Sequence, residues 1–170
     1  VGAVFAVKSL DLSRRLQDRA LAGSRLQIPL FFAEDVIHGH RTIFPLPIAL
    51  ACSWDMELVE ETAAFAAGEA AALGIHQAYA PMIDVARDPR WGRVAESPGE
   101  DPTLAARYAA AMTRGLQGDD PSAPGRVAAC LKHFVAYGAP ESGRDYDNAS
   151  MALEDLFGAH LPPFEAGVRA

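Results

Sequence analysis

Leu30-Phe31-Phe32-Ala33-Glu34-Asp35-Val36-Ile37-His38-Gly39-His40 is an apolar run that empties directly into carboxylates and imidazoles. The same layout recurs further along the chain. Ala78-Tyr79-Ala80-Pro81 leads to Asp84-Val85-Ala86-Arg87-Asp88-Pro89-Arg90-Trp91-Gly92-Arg93, and Val127-Ala128-Ala129-Cys130-Leu131 leads to Lys132-His133-Phe134. A further apolar run, Val1-Gly2-Ala3-Val4-Phe5-Ala6-Val7, precedes all three. Each run is strand-like, and each is followed by a helix-like segment. The order is βαβαβαβα, an alternation that implies a parallel sheet with helices outside it. In such folds ligands bind at the carboxyl ends of the strands, where these polar patches gather. Four units match half of an eight-fold barrel, which takes roughly 250 residues. Half of an open doubly wound sheet has the same pattern.

The spacing predicts strands over residues 1–7, 28–33, 75–81 and 127–131. Leu10, Leu12, Leu16, Ala20 and Leu21 recur near the helical period, with Ser9 or Asp11 as a cap and Gly23 as a stop. Residues 55–73 read as a strong helix. Leu58, Val59, Thr62, Phe65, Ala66, Ala70 and Leu73 form its apolar stripe, and Gly74 ends it. Residues 103–116 give another helix, and Ser150 is placed to open the last one, which Pro162-Pro163 must kink or restart. Residues 34–54 and 82–102 read as long polar loops, and Phe44-Pro45-Leu46-Pro47-Ile48 is too broken by proline for a helix.

Composition bounds the function. The chain has 170 residues, half of them hydrophobic and 22% charged, as in a folded globular domain. Its formal charge of -7 argues against a nucleic-acid partner. No apolar run reaches the roughly 18–20 residues of a membrane-spanning helix. Cys52 and Cys130 stand far apart without metal-ligand spacing. There is no Gly-x-Ser-x-Gly elbow, no Gly-x-x-x-x-Gly-Lys and no Gly-x-Gly-x-x-Gly after a strand, which counts against serine, nucleotide and hydride chemistry. The chain opens on Val and closes on a helix end with no following strand, so it reads as part of a longer protein, cut at both ends.

The polar loops carry the chemistry. A carboxylate at Asp35 can accept two hydrogen bonds from neighbouring hydroxyls of a sugar, or it can tie down its own loop. Asp35, His38 and His40 also present a weak metal-ligand pattern, unmatched by a second cluster. Arg87, Arg90 and Arg93 stand beside Asp88, Glu96, Glu100 and Asp101, which fits a loop held by its own ion pairs. One of these arginines can still turn its planar fork into a pocket. Trp91 reads as a buried anchor for that loop rather than a stacking surface. The Lys132-His133 pair ends a buried strand, and a buried ammonium needs partners.

Taken together, residues 28–39, Ala80-Pro81-Met82-Ile83-Asp84-Val85, Arg87-Asp88-Pro89-Arg90-Trp91-Gly92-Arg93, Gly99-Glu100-Asp101-Pro102 and Lys132-His133-Phe134 resemble glycoside hydrolase family 3, most closely its β-glucosidase branch. The resemblance runs in order over almost the whole chain. It implies an α/β fold, a partial (β/α)8 TIM-type barrel of about four βα units that forms part of an N-terminal catalytic domain over residues 1–170. A second α/β domain would follow the barrel. It also implies retaining hydrolysis of terminal β-D-glucosyl residues, with no cofactor, no metal, no nucleic acid and no membrane partner. By the same resemblance Asp35, Arg93, Lys132 and His133 bind the hydroxyls of the sugar, and Arg144 joins them from the next loop. The family's nucleophile is an aspartate in a Ser-Asp motif on a later strand, and its acid/base lies later still, so neither is expected within these residues and the 170-residue piece alone is expected to be inactive. Val135-Ala136-Tyr137-Gly138-Ala139-Pro140-Glu141-Ser142-Gly143-Arg144-Asp145-Tyr146 lacks the Asp-Ser-His of the N-acetylglucosaminidase branch. Family members are often secreted or periplasmic. A β-xylosidase of the same family, a non-catalytic sugar-binding module and a metal-dependent hydrolase are the alternatives.

Overall fold

A computed structural model describes residues 2–170. Three parallel strands, β1 (Ala3–Phe5), β2 (Phe31–Glu34) and β3 (Gln77–Ala78), pair in sequence order. The register sets Val4 opposite Phe32 and Glu34 opposite Ala78. Residues 127–132 lie beside β3 as a fourth parallel segment. The Ala78 N–H donates to the Ala128 carbonyl at 2.9 Å and the Cys130 N–H to the Ala80 carbonyl at 2.8 Å. Helices α1 (Leu10–Gly23), the short α2 (Pro47–Ala51) with α3 (Met56–Ala72), and α4 (Pro102–Gln117) fill the connections, and the short α5 (Leu153–Asp155) and α6 (Pro162–Arg169) follow the fourth segment. This is the parallel α/β architecture of a partial barrel.

The strands are shorter than the apolar runs that make them. β2 starts at Phe31 rather than at residue 28, because Pro29 has no N–H and the Leu30 N–H is taken by the Gln17 side chain at 2.8 Å. β1 spans Ala3–Phe5, and Ala6 turns to a φ of 60°. Val1 lies outside the described residues. The third and fourth segments pair by isolated bridges at Gln77–Ala128 and Met82–Lys132 rather than as one continuous ladder.

The helix ends follow their side-chain chemistry. Ser9, Asp55 and Asp101 cap α1, α3 and α4 by accepting the N–H of Leu12, Leu58 and Leu104 respectively. Prolines that argue against helix in the 44–48 stretch instead start one, since Pro47 occupies the first turn of α2, where an N–H is not needed. The last helical stretch opens at Leu153, not Ser150. It passes through one wide turn (Leu156–His160) and restarts at Pro162.

The core forms where α3 and α4 cover the sheet. On α3 the buried residues are Val59, Ala63, Ala66, Ala67 and Ala70, while Leu58 and Phe65 face outward. The helix therefore buries an alanine face, rotated from the stripe that its larger residues suggest. The reason is proximity. A Cβ at Gly115 of α4 would stand 2.4 Å from the Glu60 carbonyl oxygen and 2.6 Å from the Ala63 Cβ. Two backbones this close leave room only for small side chains. Gly39 answers a different demand, because its φ is +114° and a Cβ there would meet the Thr42 carbonyl oxygen. The Glu69 carboxylate holds that turn by accepting the N–H groups of Arg41 and Thr42, each at 2.8 Å.

Replacing Gly115 with Ala tests the close contact. Helix propensity alone favours Ala by about 1 kcal/mol. Overpacking costs roughly 1–3 kcal/mol, so the complete protein should melt earlier with Gly115→Ala. A higher melting temperature would show that α3 and α4 separate easily.

Candidate substrate-binding site

Parallel pairing brings the ends of β2, the third segment and the fourth segment to one rim. Asp35 follows the last residue of β2, and Lys132 closes the fourth segment. Their side chains meet, with Lys132 Nζ donating to Asp35 Oδ1 at 2.8 Å. The lysine is sheltered, with 14% of its side chain exposed, while Asp35 keeps 45%. The pair thus has a protected donor and an accessible acceptor.

His133 stands on a different carboxylate. Asp84, whose side chain is 0% exposed, accepts the His133 N–H at 2.9 Å and faces the ring Nδ1 at 2.8 Å, both through Oδ2. An ionised carboxylate only accepts, so Nδ1 is the donor and Nε2 is left for another partner. A buried carboxylate without partners is costly, and two hydrogen bonds from one residue offset part of that cost. They also fix the imidazole in place.

Arg93 is the third corner. Its guanidinium grips Glu96 in a two-pronged fork, Nε to Oε1 at 2.7 Å and Nη2 to Oε2 at 2.8 Å. That bond holds the Glu96 carboxyl below its ordinary range, with smaller help from the charges of Lys132 and His133. In return Glu96 raises the Arg93 pKa further. Tyr137 joins Arg93 to His133. The guanidinium carbon sits 5.4 Å from its ring centre, and the His133 ring meets it edge-on at 4.7 Å.

Tyr137 is itself fixed from behind. Its hydroxyl donates to Asp145 Oδ1 at 2.5 Å, and Trp91 Nε1 donates to the same oxygen at 2.9 Å. Burial, and then the bond to Asp145, push the Tyr137 phenol up to about 12. The bonds from Tyr137 and Trp91 hold Asp145 below the usual aspartate range. The phenol therefore stays a donor and the carboxylate an acceptor across neutral pH.

Asp35, Lys132, His133 and Arg93 thus stand in one connected cluster. Arg144 is placed differently. It lies on the neighbouring loop with 72% of its side chain exposed and pairs with Asp147 at 3.0 Å. Trp91 is buried and anchors its loop, as its sequence position suggests. His38 turns its Nδ1 to the Phe44 carbonyl at 2.9 Å, and among the described residues no three His, Cys, Asp or Glu side chains gather as a metal donor set. Asp84, Glu96 and Tyr137 were not singled out as site residues in the sequence. Asp84 and Glu96 read as loop carboxylates, and only tertiary contact reveals that they hold His133 and Arg93. A hollow of about 470 Å³ opens beside the cluster, lined by Arg93, His133, Tyr137 and Tyr146 among others.

Comparison with known proteins gives a consistent result. Residues 1–170 match the family model described as glycosyl hydrolase family 3 N terminal domain. The chain is 44% identical over 170 residues to the periplasmic beta-glucosidase of Salmonella typhimurium, covering 100% of this chain and 22% of that protein. It is 37% identical over 183 residues to a beta-xylosidase of Formosa agariphila, covering 99% of this chain and 25% of that one. Among solved structures, beta-glucosidase from Listeria innocua in complex with isofagomine superposes with a TM-score of 0.97 at 44% identity, covering 99% of this chain and 24% of that one. The chain thus spans about a quarter of the length of the relatives it matches.

The Arg93–Glu96 fork predicts a pH signature. Because the folded pKa of Glu96 is depressed below 4.5, the pair's stabilisation is complete above that value and is lost as pH falls through the depressed one. Exposure limits its size to about 1 kcal/mol or less. In the complete protein Glu96→Gln should lower thermal stability at neutral pH, and the gap should close in acid. A gap that stays constant would remove the ion pair as its cause.

Proposed function

The chain belongs to glycosyl hydrolase family 3, and on that premise we propose that the complete protein is a retaining, exo-acting β-glucosidase acting on terminal non-reducing β-D-glucosyl residues. The meeting of Lys132 with Asp35 beside the Asp84-held His133 is the observation that carries this reading. In it, residues 1–170 form a partial N-terminal barrel domain that supplies the walls of the sugar site.

A glucosyl ring offers vicinal hydroxyls that donate and accept at once. Asp35 accepts from two of them, and the Lys132 ammonium donates to one while keeping its bond to Asp35. His133 contributes its free ring nitrogen and Arg93 its remaining N–H groups, and Arg144 swings from Asp147 to reach the ring. Bonds to charged groups are about twice as strong as neutral ones. Contacts that tighten as the ring gains oxocarbenium character lower the barrier rather than only binding the substrate.

Retaining hydrolysis needs one carboxylate as nucleophile and a second carboxyl as acid/base. The carboxylates at this rim are otherwise engaged. Asp84 lies beneath His133, Glu96 is clasped and acidified by Arg93, and Asp35 holds Lys132. The reading therefore assigns both catalytic carboxyl groups to other parts of the complete protein, and residues 1–170 expressed alone should show no turnover. The beta-glucosidases among the relatives support glucose as the sugar, and the relative named periplasmic supports that compartment. The beta-xylosidase relative favours a second reading, in which the pocket closes tightly around a sugar lacking C6.

Two measurements on the complete protein test this. Matched β-glucoside and β-xyloside reporters should show the glucoside turned over faster, whereas equal or faster xyloside turnover would favour the second reading. Lys132→Ala and Asp35→Ala should each cut kcat/KM at least about tenfold, or about 1.4 kcal/mol. A negligible loss at both would remove these residues from the sugar site.

A further inference from the structure

Asp84 grips His133 with one oxygen only. Both hydrogen bonds from His133 reach Asp84 Oδ2, while Oδ1 is buried without a partner. Among the described residues one buried imidazole is in the same condition. His160 is 6% exposed, and its Nδ1 has no hydrogen-bond partner. Buried polar groups are rarely left this way, because each has given up water for nothing in return.

His160 reaches its place through an unusual turn. From Leu156 to His160 the helix widens to a five-residue step, and the Leu161 N–H donates to the Leu156 carbonyl at 2.9 Å. Such insertions are rare and gather at functional sites. Here the turn carries Ala159 and His160 inside and leaves Phe157 outside. Phe164, four positions after His160, packs in a buried cluster with Ile83, the neighbour of Asp84. Gly138 closes the space from another loop, since a Cβ there would stand 3.0 Å from the Asp84 Cβ and 2.6 Å from the Val85 carbonyl oxygen. Val85, Gly138 and His160 line one hollow of about 440 Å³. These contacts set His160 beside the end of the third segment, where Asp84 stands.

The charges acting on His160 are those of Arg87, Asp84 and Asp155. Burial pushes its pKa below the ordinary imidazole value, Arg87 pushes the same way, and the two carboxylates oppose them. A neutral imidazole carries one N–H. With that proton on Nδ1 it donates toward a carboxylate oxygen, which only accepts. One water between Nδ1 and Oδ1 gives both atoms a partner.

We propose that His160 is a positioning residue, joined through one buried water to Asp84 Oδ1, and that it thereby fixes the His133 ring in the sugar site. The link to sugar rests on the β-glucosidase reading above. A carboxylate held only through Oδ2 is free to rotate about its last bond. A partner on Oδ1 fixes its plane, and with it the direction of His133 Nε2.

Two double-mutant cycles in the complete protein test this. With a β-glucoside reporter, His160→Leu should lower kcat/KM at least about tenfold. His160→Asn, whose amide puts a donor near the place of Nδ1, should keep it within about threefold. In a His133→Ala background His160→Leu should cost less than about twofold, because the ring it serves is gone. An equal loss in both backgrounds would assign His160 to folding and overturn the proposal, as would unchanged turnover by His160→Leu alone. The second cycle needs no turnover. Shifts in melting temperature from His160→Leu and Asp84→Asn should be non-additive, and additive shifts would overturn the link between the two residues. A protein that cleaves no β-glucoside would remove the glucosidase reading, and the melting cycle would then decide that link on its own.

Discussion

Lys132 and Asp35 are 97 positions apart, and their 2.8 Å contact depends on parallel strand pairing. β2, the third segment and the fourth segment run in the same direction and in register, so the residues just past each one arrive at the same rim. An antiparallel partner would send Lys132 to the opposite end of the sheet. The helices are consequences of the same constraint, since parallel neighbours need a crossover between them. The close α3–α4 contact around Gly115 and the alanine face of α3 let those crossovers lie flat on the sheet.

Hydrogen-bond pairing of carboxylates with donors is the second layer of the design. The negative groups at the rim each answer a donor: Asp84 answers His133, Glu96 answers Arg93, and Asp145 answers Tyr137 and Trp91. Away from bulk water, unpaired charge is expensive and paired charge is stiff. The side chains that would face a ligand are therefore oriented by a rank of partners behind them. Asp35 is the exception, being half exposed and bonded to a single donor through one oxygen. That leaves it the carboxylate best able to exchange solvent for hydroxyl groups.

Much of this was legible in the sequence, for physical reasons that can be named. Alternating apolar runs and helical periods gave the order of elements. Ser9 and Asp55 are legible as helix starts, because capping is a local event, whereas the Asp101 cap shows only in the structure. Asp35, Arg93, Lys132 and His133 were visible through motif resemblance at the ends of apolar runs. Long-range contact stayed hidden. The Gln17 side chain removes Leu30 from β2, and the near approach of α4 turns α3 onto its alanines. The Pro47 start of α2 is hidden because a proline-rich stretch reads as a helix breaker, although proline fits the first turn. Asp84, Glu96 and Tyr137 are defined by what they hold, and a linear reading does not contain those partners.

The loop after Lys132-His133 shows how these layers combine. Tyr137 sits where three demands meet. It stacks against Arg93, meets His133 edge-on, and with Trp91 ties the Asp145 carboxylate to the loop above. Any movement of that loop is therefore felt by Arg93 and His133, and a ligand gripping either would in turn steady the loop. A phenol raised to about 12 suits this position, because it keeps its proton and the connection survives ordinary changes of pH. The price is rigidity at Tyr137, which Arg93, His133 and Asp145 hold at once.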